Sequence, residues 1–186
     1  MKSQIALFKY YKQLGESAMG QLSENEHYFW TPGGDSNSIA VIIQHLYGNM
    51  KSRWTDFLSS DGEKEWRNRD QEFELYCQYQ EELMKLWEEG WACLFRALDS
   101  INEKNKDQLV YIRNKGHSIN EAVQRQLAHY AYHVGQLVYL SRMMVGEDFK
   151  SLTIPKGESQ EYNRNAFAQG QRKEHFTDEL LDSDLK

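Results

Sequence analysis

Long apolar runs and proline are scarce in this 186-residue sequence, which contains two prolines. An uninterrupted apolar run such as Ile39–Ile43 reaches five residues, far short of the roughly 18 that a membrane-spanning helix needs. The low proline content excludes a proline-rich architecture. The N-terminal residues also lack the apolar stretch and cleavage site of a secretory signal. These absences predict a cytoplasmic protein.

Cysteine occurs twice, as Cys77 and Cys93. Both positions fall within one predicted helix, where their spacing corresponds to roughly 24 Å at about 1.5 Å per residue. Because that distance is far beyond disulfide reach, the sequence predicts two buried free thiols in a reducing compartment.

The sequence also lacks an excess of positive charge. It has 22 Lys and Arg residues against 28 Asp and Glu residues, which gives a formal net charge of −6. The basic residues are scattered, and the densest group, Arg67-Asn68-Arg69, is followed by Asp70 and Glu72. Nucleic-acid binding requires Lys and Arg clustered on one face. The composition therefore argues against a nucleic-acid partner.

Helical periodicity, by contrast, is abundant. Apolar residues recur every three or four positions, as one face of a helix requires. This pattern predicts four long helices, over Ser3–Leu22, Ile39–Leu58, Glu72–Leu98 and Ile119–Met144. Between the first two, Pro32-Gly33-Gly34 predicts a turn, and Ser38 is one of three adjacent candidates to cap the second helix.

The segment before the fourth helix has β character. Leu109–Ile112 is rich in residues that favour strands, and Asn114-Lys115-Gly116 is a turn signal, so a short hairpin is predicted. Ser118 and Glu121 have the spacing of a capping box at the start of the fourth helix, and Gly146 is placed to end it.

These elements predict an all-α protein built as a four-helix bundle, with a short hairpin-like insertion before the fourth helix. Residues 1–160 form the predicted bundle domain. Residues 161–186 form a polar, acidic C-terminal tail, which we expect to be extended or partly helical. A bundle by itself implies no activity, so the function has to be argued from a site.

Three of the six histidines suggest such a site. His129 and His133 are four residues apart in the fourth helix and therefore project from one face. His45 lies in the second helix, between Ile42 and Asn49 on its inward arc. Three imidazoles from two helices could hold one metal ion and leave positions open for a ligand, as catalytic sites do. The alternative is three hydrogen-bonded core histidines.

Other residues are weaker candidates, each with ordinary packing or surface exposure as the alternative. The remaining histidines, His27, His117 and His175, are predicted to lie on the surface. Candidates for orienting a ligand or contacting a substrate are Gln126, Gln136, Asn49, Trp54, Trp66, Arg67 and Arg69. The nearest acidic residue on the fourth helix, Glu121, is about two turns from His129, so the sequence predicts no carboxylate beside the histidines.

Two segments carry a family resemblance. Ser38–Leu46, which contains His45, and Arg125–Gln136, which contains His129 and His133, resemble the two signatures of the DinB/YfiT-like superfamily. Its members are small four-helix bundles with one histidine on helix two and a His-x-x-x-His motif on helix four. The similarity extends to Trp54–Leu58 and Ser151–Gly157, covers roughly residues 1 to 160, and points to an uncharacterised Bacillus-type branch.

The resemblance implies a divalent metal, nickel or zinc, bound by His45, His129 and His133. It also implies a homodimer and the transfer of a low-molecular-weight thiol, such as bacillithiol, to a small electrophile. The leading hypothesis is therefore a metal-dependent thiol transferase that acts on a small molecule and on neither nucleic acid nor a membrane. The alternatives are a metal-dependent hydrolase and a non-enzymatic, dimeric stress-response binding protein.

Overall fold

The computed structural model describes residues 1–178. In this part of the chain, helices account for most of the structure, 58% in all, beside one small two-stranded sheet. The helices are α1 (Lys2–Met19), α2 (Asn25–Phe29), α3 (Ile39–Trp54), α4 (Gln80–Asp99), α5 (Ile119–Val145) and α6 (Ser159–Ala168), and the strands are β1 (Leu109–Ile112) and β2 (Lys115–Ser118). The all-α prediction is confirmed at this level.

The two helices that carry the candidate histidines begin where the sequence predicts. Ser38 Oγ accepts a hydrogen bond from the Val41 amide at 3.3 Å at the start of α3. At the start of α5, Ser118 Oγ accepts from the Glu121 amide at 3.2 Å, and the Glu121 carboxylate accepts from the Ser118 amide at 2.8 Å. Both caps satisfy amides that have no partner within the helix.

Three boundaries differ from the sequence prediction. Helix α1 ends at Met19 rather than Leu22, and the short helix α2 lies between α1 and the turn predicted at Pro32-Gly33-Gly34, where no helix was predicted. Helix α3 ends at Trp54, before Leu58, because Thr55 is extended and Asp56 has a φ of 48°. A left-handed residue cannot continue a right-handed helix.

The largest difference concerns α4, which begins at Gln80 and not at Glu72. Residues 70–73 form a short 3-10 helix instead, and the chain then runs to the start of α4 without helical structure. Cys77 therefore precedes α4, and the helical spacing assumed between the two cysteines does not apply. Both cysteines are nevertheless free and buried, as predicted.

A buried side chain on α3 explains why residues 74–77 are not helical. Gln44 Nε2 donates to the Glu74 carbonyl at 2.8 Å, and Gln44 Oε1 accepts from the Tyr76 and Cys77 amides at 3.3 and 3.2 Å. These bonds occupy backbone groups that a helix would otherwise pair with one another. They also hold the connection between α3 and α4 against α3, next to His45.

The long helices pack in two close pairs, α1 with α5 and α3 with α4, and α3 also contacts α5. Trp87 and Trp91 of α4 are 2% and 0% exposed and lie in the core. Tyr130 of α5, also fully buried, has its ring centroid 5.9 Å from that of Phe8 in α1 and 5.8 Å from that of Trp91.

The hydroxyl of Tyr130 extends these contacts to α3. It accepts a hydrogen bond from Trp54 Nε1 at 2.9 Å and donates one to Asn49 Oδ1 at 3.0 Å. One side chain of α5 therefore contacts α1, α3 and α4, and it fixes the position of α5 along α3.

The predicted hairpin is confirmed, with β1 and β2 antiparallel and Ile112 paired with Lys115. Its turn residues Arg113 and Asn114 have positive φ values of 55° and 60°. Asp61, in the connection after α3, accepts hydrogen bonds from both of their amides at 2.8 and 2.7 Å. The hairpin therefore docks against the connection between α3 and α4.

The C-terminal segment is partly helical, as expected, because it contains α6. Beyond α6 the chain returns to α1, where His175 Nε2 lies 2.8 Å from Ser3 Oγ and the ring of Phe176 contacts that of Tyr10. The acidic end, residues 179–186, lies outside the described residues. In residues 1–178, no helix is both long enough and apolar enough to cross a membrane.

We expect Tyr130→Phe to destabilise the fold. The substitution removes a buried hydroxyl and leaves the Trp54 N–H and the Asn49 carbonyl oxygen unpaired, which costs on the order of 1–3 kcal/mol of unfolding free energy. Urea denaturation followed by circular dichroism measures this loss. The matched control is Tyr139→Phe on the exposed face of the same helix. It should change the unfolding free energy by no more than about 0.5 kcal/mol. Equal effects in the two variants would contradict a stabilising role for the Tyr130 hydroxyl.

Candidate metal centre

The three candidate histidines meet between α3 and α5. His45 Nε2 lies 3.3 Å from His129 Nε2, and His133 Nε2 lies 3.1 Å from the same atom. The candidate ligand atoms of the three residues all lie within 4.8 Å of one another. His45 and His133 are buried and His129 is partly buried. The sequence-predicted set of His45, His129 and His133 is therefore brought together, close enough to bind a metal.

Hydrogen bonds to the outer ring nitrogens fix two of the tautomers. His45 Nδ1 lies 2.9 Å from Glu72 Oε2, and His133 Nδ1 lies 2.7 Å from Gln136 Oε1. Both partners are acceptors, so each Nδ1 carries the proton. In the neutral ring, each Nε2 is then left with a lone pair that points at His129.

This convergence of lone pairs fits a cation. A single proton on His129 Nε2 could satisfy one of its two neighbours, whereas a metal ion accepts electron density from all three nitrogens. Metal–nitrogen bonds of about 2.0–2.1 Å in tetrahedral directions place neighbouring nitrogens roughly 3.3 Å apart. The observed separations of 3.1 and 3.3 Å are close to this value.

The protonation of the cluster favours metal binding. Burial, together with the neighbouring His133 and His45, lowers the pKa of His129 to about 3. Burial and His45 lower the pKa of His133 to about 4, although the bond to Gln136 acts in the opposite direction. Both rings are therefore neutral near pH 7, which is the form that coordinates a metal.

A carboxylate stands behind His45, contrary to the prediction that none lies near the histidines. Glu72 is 27 residues away along the chain and reaches His45 from the 3-10 helix before α4. Burial acts to raise the pKa of Glu72, but the hydrogen bonds from His45 and Arg67 and the charge of Arg67 bring it below its usual value. Glu72 is therefore an ionised acceptor at neutral pH.

A chain of alternating charges continues from Glu72 toward the hairpin. Arg67 Nε and Nη2 donate to the two Glu72 oxygens at 2.7 and 2.9 Å. Arg67 also pairs with Glu63, which in turn pairs with Arg53 and Arg113. Arg67 was expected on the solvated surface, yet 2% of its side chain is exposed. Its role is to bind two carboxylates of the protein itself, the buried Glu72 and the partly buried Glu63.

The other candidates have varied outcomes. Gln136 contacts the candidate ligand His133, as predicted. Asn49 instead accepts a hydrogen bond from Tyr130. The buried Oε1 of Gln126 accepts no hydrogen bond among the described residues. Trp54 lies in the core and Trp66 is 60% exposed. Arg69 lies over the ring of Phe73, which stacks on His45. The remaining histidines are not part of the cluster: His27 lies in α2, His117 in β2 and His175 beside α1.

A groove of about 500 Å³ lies behind His133, on the side of its outer nitrogen, between α5 and the segment that leads into α3. Tyr132 and Gln136 line it, and both contact His133. Its opposite wall includes Asp35 and Asn37. A volume in this range suits a small molecule.

Comparison with known proteins places the chain in a family. The family model described as "Protein of unknown function (DUF1572)" matches residues 1–158. The chain belongs to this family. No curated protein and no solved structure shows significant similarity to it. The DUF1572 description does not mention the DinB/YfiT-like superfamily, so that resemblance stays a prediction.

The lowered pKa values predict how the stability of this DUF1572 chain depends on pH in metal-free protein. Between the ordinary histidine value of about 6.5 and the folded-state values, the unfolded state binds protons that the folded state does not. The free energy of unfolding should therefore fall as the pH is lowered from about 6.5 toward about 4.

Urea denaturation of wild type and His129→Gln across this range checks the prediction. The variant lacks one of the two histidines whose pKa is lowered, so it should take up as much as one proton fewer on unfolding. Its unfolding free energy should therefore depend less steeply on pH. Carboxylates titrate alike in both proteins and cancel in the comparison. Identical slopes would show that His129 is not held neutral by the fold.

Proposed function

We propose that this protein is a metal-dependent enzyme that transfers a low-molecular-weight thiol to a small electrophile. The observation that carries the proposal is the convergence of three Nε2 atoms from α3 and α5, two of them in the tautomer that coordinates a metal. The proposed cofactor is one divalent ion, nickel or zinc, held by His45, His129 and His133. The proposed architecture is the four-helix bundle of the DinB/YfiT-like superfamily.

The ligand set determines what the site can do. A divalent ion held by three neutral imidazoles keeps its double charge, which lowers the pKa of a thiol or a water molecule that binds to it. Three protein ligands also leave a position for that molecule, whereas a structural site is closed by a fourth protein ligand. Among residues 1–178, the group of potential ligands contains these three histidines and no fourth residue.

Transfer of a thiol is favoured over hydrolysis by the state of Glu72. Hydrolysis would require a base that takes a proton from water. Glu72 is the carboxylate in contact with a ligand histidine, and both of its oxygens are already bound by Arg67 and His45. A thiol with a pKa of about 8.5 needs less assistance, because its charged form is already accessible near neutral pH.

Atoms and electrons balance in the proposed transfer. The thiol loses its proton to water, its sulfur forms a bond to a carbon of the electrophile, and the leaving group departs with the electron pair of the bond that breaks. The groove beside His133 is the proposed binding site for the electrophile. Tyr132 would contact it there through its ring, while the Gln136 amide stays bonded to His133 Nδ1 and to the Tyr132 hydroxyl.

The proposed setting of the enzyme is a homodimer in the cytoplasm. Large apolar side chains of α5 are exposed, with Tyr132, Tyr139 and Met143 between 47% and 66% accessible, which supports α5 as part of a subunit interface. The two free thiols suit a reducing compartment. The proposed partner is a small molecule, with neither nucleic acid nor a membrane involved.

The metal is tested first. Tag-free protein purified without added metal should contain about one zinc or nickel ion per chain by elemental analysis. His45→Ala and His129→Ala should each lose it while keeping the circular dichroism of the wild type; His175→Ala, outside the cluster, is the control and should keep the metal. Wild-type protein that holds no metal and takes up neither zinc nor nickel on titration would overturn the proposal.

The reaction is tested next with the metal-loaded protein, several low-molecular-weight thiols and a small electrophile such as a haloalkane. The expected result is loss of free thiol matched by formation of the thioether, reduced at least tenfold in His129→Ala. Product formed without consumption of thiol would identify a hydrolase instead. A metal-loaded protein that accelerates neither reaction with any thiol would favour a binding protein.

A further inference from the structure

We infer that Glu72 is a positioning residue of the metal centre, which orients His45 through its outer nitrogen. This inference rests on the proposed function and assigns a role to a residue that no sequence motif identifies. Glu72 and His45 are 7% and 4% exposed, and the Oε2–Nδ1 distance is 2.9 Å. A hydrogen bond in this environment has little competition from water.

The first effect of Glu72 is on the tautomer of His45. A carboxylate can accept a hydrogen bond but cannot donate one, so its partner Nδ1 must carry the proton. The lone pair of neutral His45 is then on Nε2, which faces His129. With the proton on Nε2 instead, His45 could not coordinate an ion at this position.

The second effect is on the orientation of the ring. Phe73, the residue after Glu72, stacks on the His45 ring with centroids 4.9 Å apart and planes inclined by 29°. The carboxylate fixes the edge of the imidazole and the phenyl ring fixes its face. Two adjacent residues of one short segment therefore hold both the position and the plane of the ligand, as partners behind metal ligands do in characterised sites.

Arg67 prevents Glu72 from turning away. It binds both carboxylate oxygens, at 2.7 and 2.9 Å, with 2% of its own side chain exposed. Such two-point pairing restricts rotation of the carboxylate more than a single bond does. The glutamate is therefore held from one side by Arg67 and presents Oε2 to His45 on the other.

Gly48 provides independent support, because its position leaves room for the carboxylate. A Cβ atom added at Gly48 would lie 2.6 Å from the Glu72 carboxyl carbon, closer than real contacts allow. Gly48 lies in α3, about one turn after His45. The interior of a helix ordinarily disfavours glycine by about 1 kcal/mol relative to alanine. Its place in this helix is explained by the space that Glu72 occupies.

The test separates positioning of His45 from simple stabilisation of the loop. In Glu72→Ala, the affinity for Zn²⁺, measured by competition with a chromophoric chelator, should fall about 10- to 100-fold. Glu72→Gln keeps an acceptor oxygen and should recover a large part of the loss. Gly48→Ala, which displaces the carboxylate and removes no polar group, should weaken binding in the same direction.

Two further measurements make the result decisive. Glu63→Gln weakens the same network two residues beyond Glu72, on the far side of Arg67. It should lower the unfolding free energy while changing Zn²⁺ affinity by less than about threefold. Nitrogen NMR of the metal-free protein should show His45 protonated on Nδ1 in wild type and Glu72→Gln, and a mixture of tautomers in Glu72→Ala.

The outcomes are distinguishable from a failure of the proposed function, since the tautomer of His45 is read without metal. Wild-type protein that binds no zinc would overturn the metal centre, and the NMR comparison would still decide whether Glu72 orients His45. Zinc affinity unchanged in Glu72→Ala, an unchanged tautomer, or an equal loss in Glu63→Gln would overturn the positioning role.

Discussion

The register between α3 and α5 is the constraint on which the candidate metal centre depends. It is set where the Tyr130 hydroxyl bonds to Asn49 in the middle of the core. Asn49 follows His45 by one helical turn and Tyr130 follows His129 directly, so this bond also fixes the separation of the histidines. A slip of one turn, about 5.4 Å, would move their nitrogens beyond the reach of a common ion. The aromatic contacts of Tyr130 with Phe8 and Trp91 make such a slip costly.

Local signals were sufficient to predict the parts of the site that lie on helices. Ser38 and Ser118 mark the starts of α3 and α5, and the four-residue spacing of His129 and His133 places them on one face. Glu72 could not be predicted in the same way. It joins the site through contacts that cross an irregular connection, and the buried Cys77 preserves an apolar spacing that imitates a longer α4. The apolar spacing of a sequence indicates which residues are buried. It does not reveal tertiary contacts such as the hydrogen bonds of Gln44 that keep residues 74–77 from being helical.

The charges around the cluster define the electrostatic character of the centre. Glu72 and Glu63 carry two negative charges, and their buried partners Arg67 and Arg53 carry two positive ones. The inner network is therefore neutral as a whole, which lowers the cost of burying it. It also contributes no net charge to offset that of a divalent ion. An anionic ligand is consequently the natural counterpart of such an ion, and the proposed thiol in its charged form would be one.

The long chain separation inside the cluster has a consequence for the entropy of the unfolded chain. His45 and His129 are 84 residues apart, and the chain has no disulfide because both cysteines are free. An ion held by these two residues would act as a removable cross-link that closes a loop of this length. In the chain-entropy description, closing such a loop is worth roughly 4–5 kcal/mol, an appreciable fraction of the stability of an ordinary domain. The same three histidines would thus supply both the chemistry of the site and a tie between the two halves of the fold.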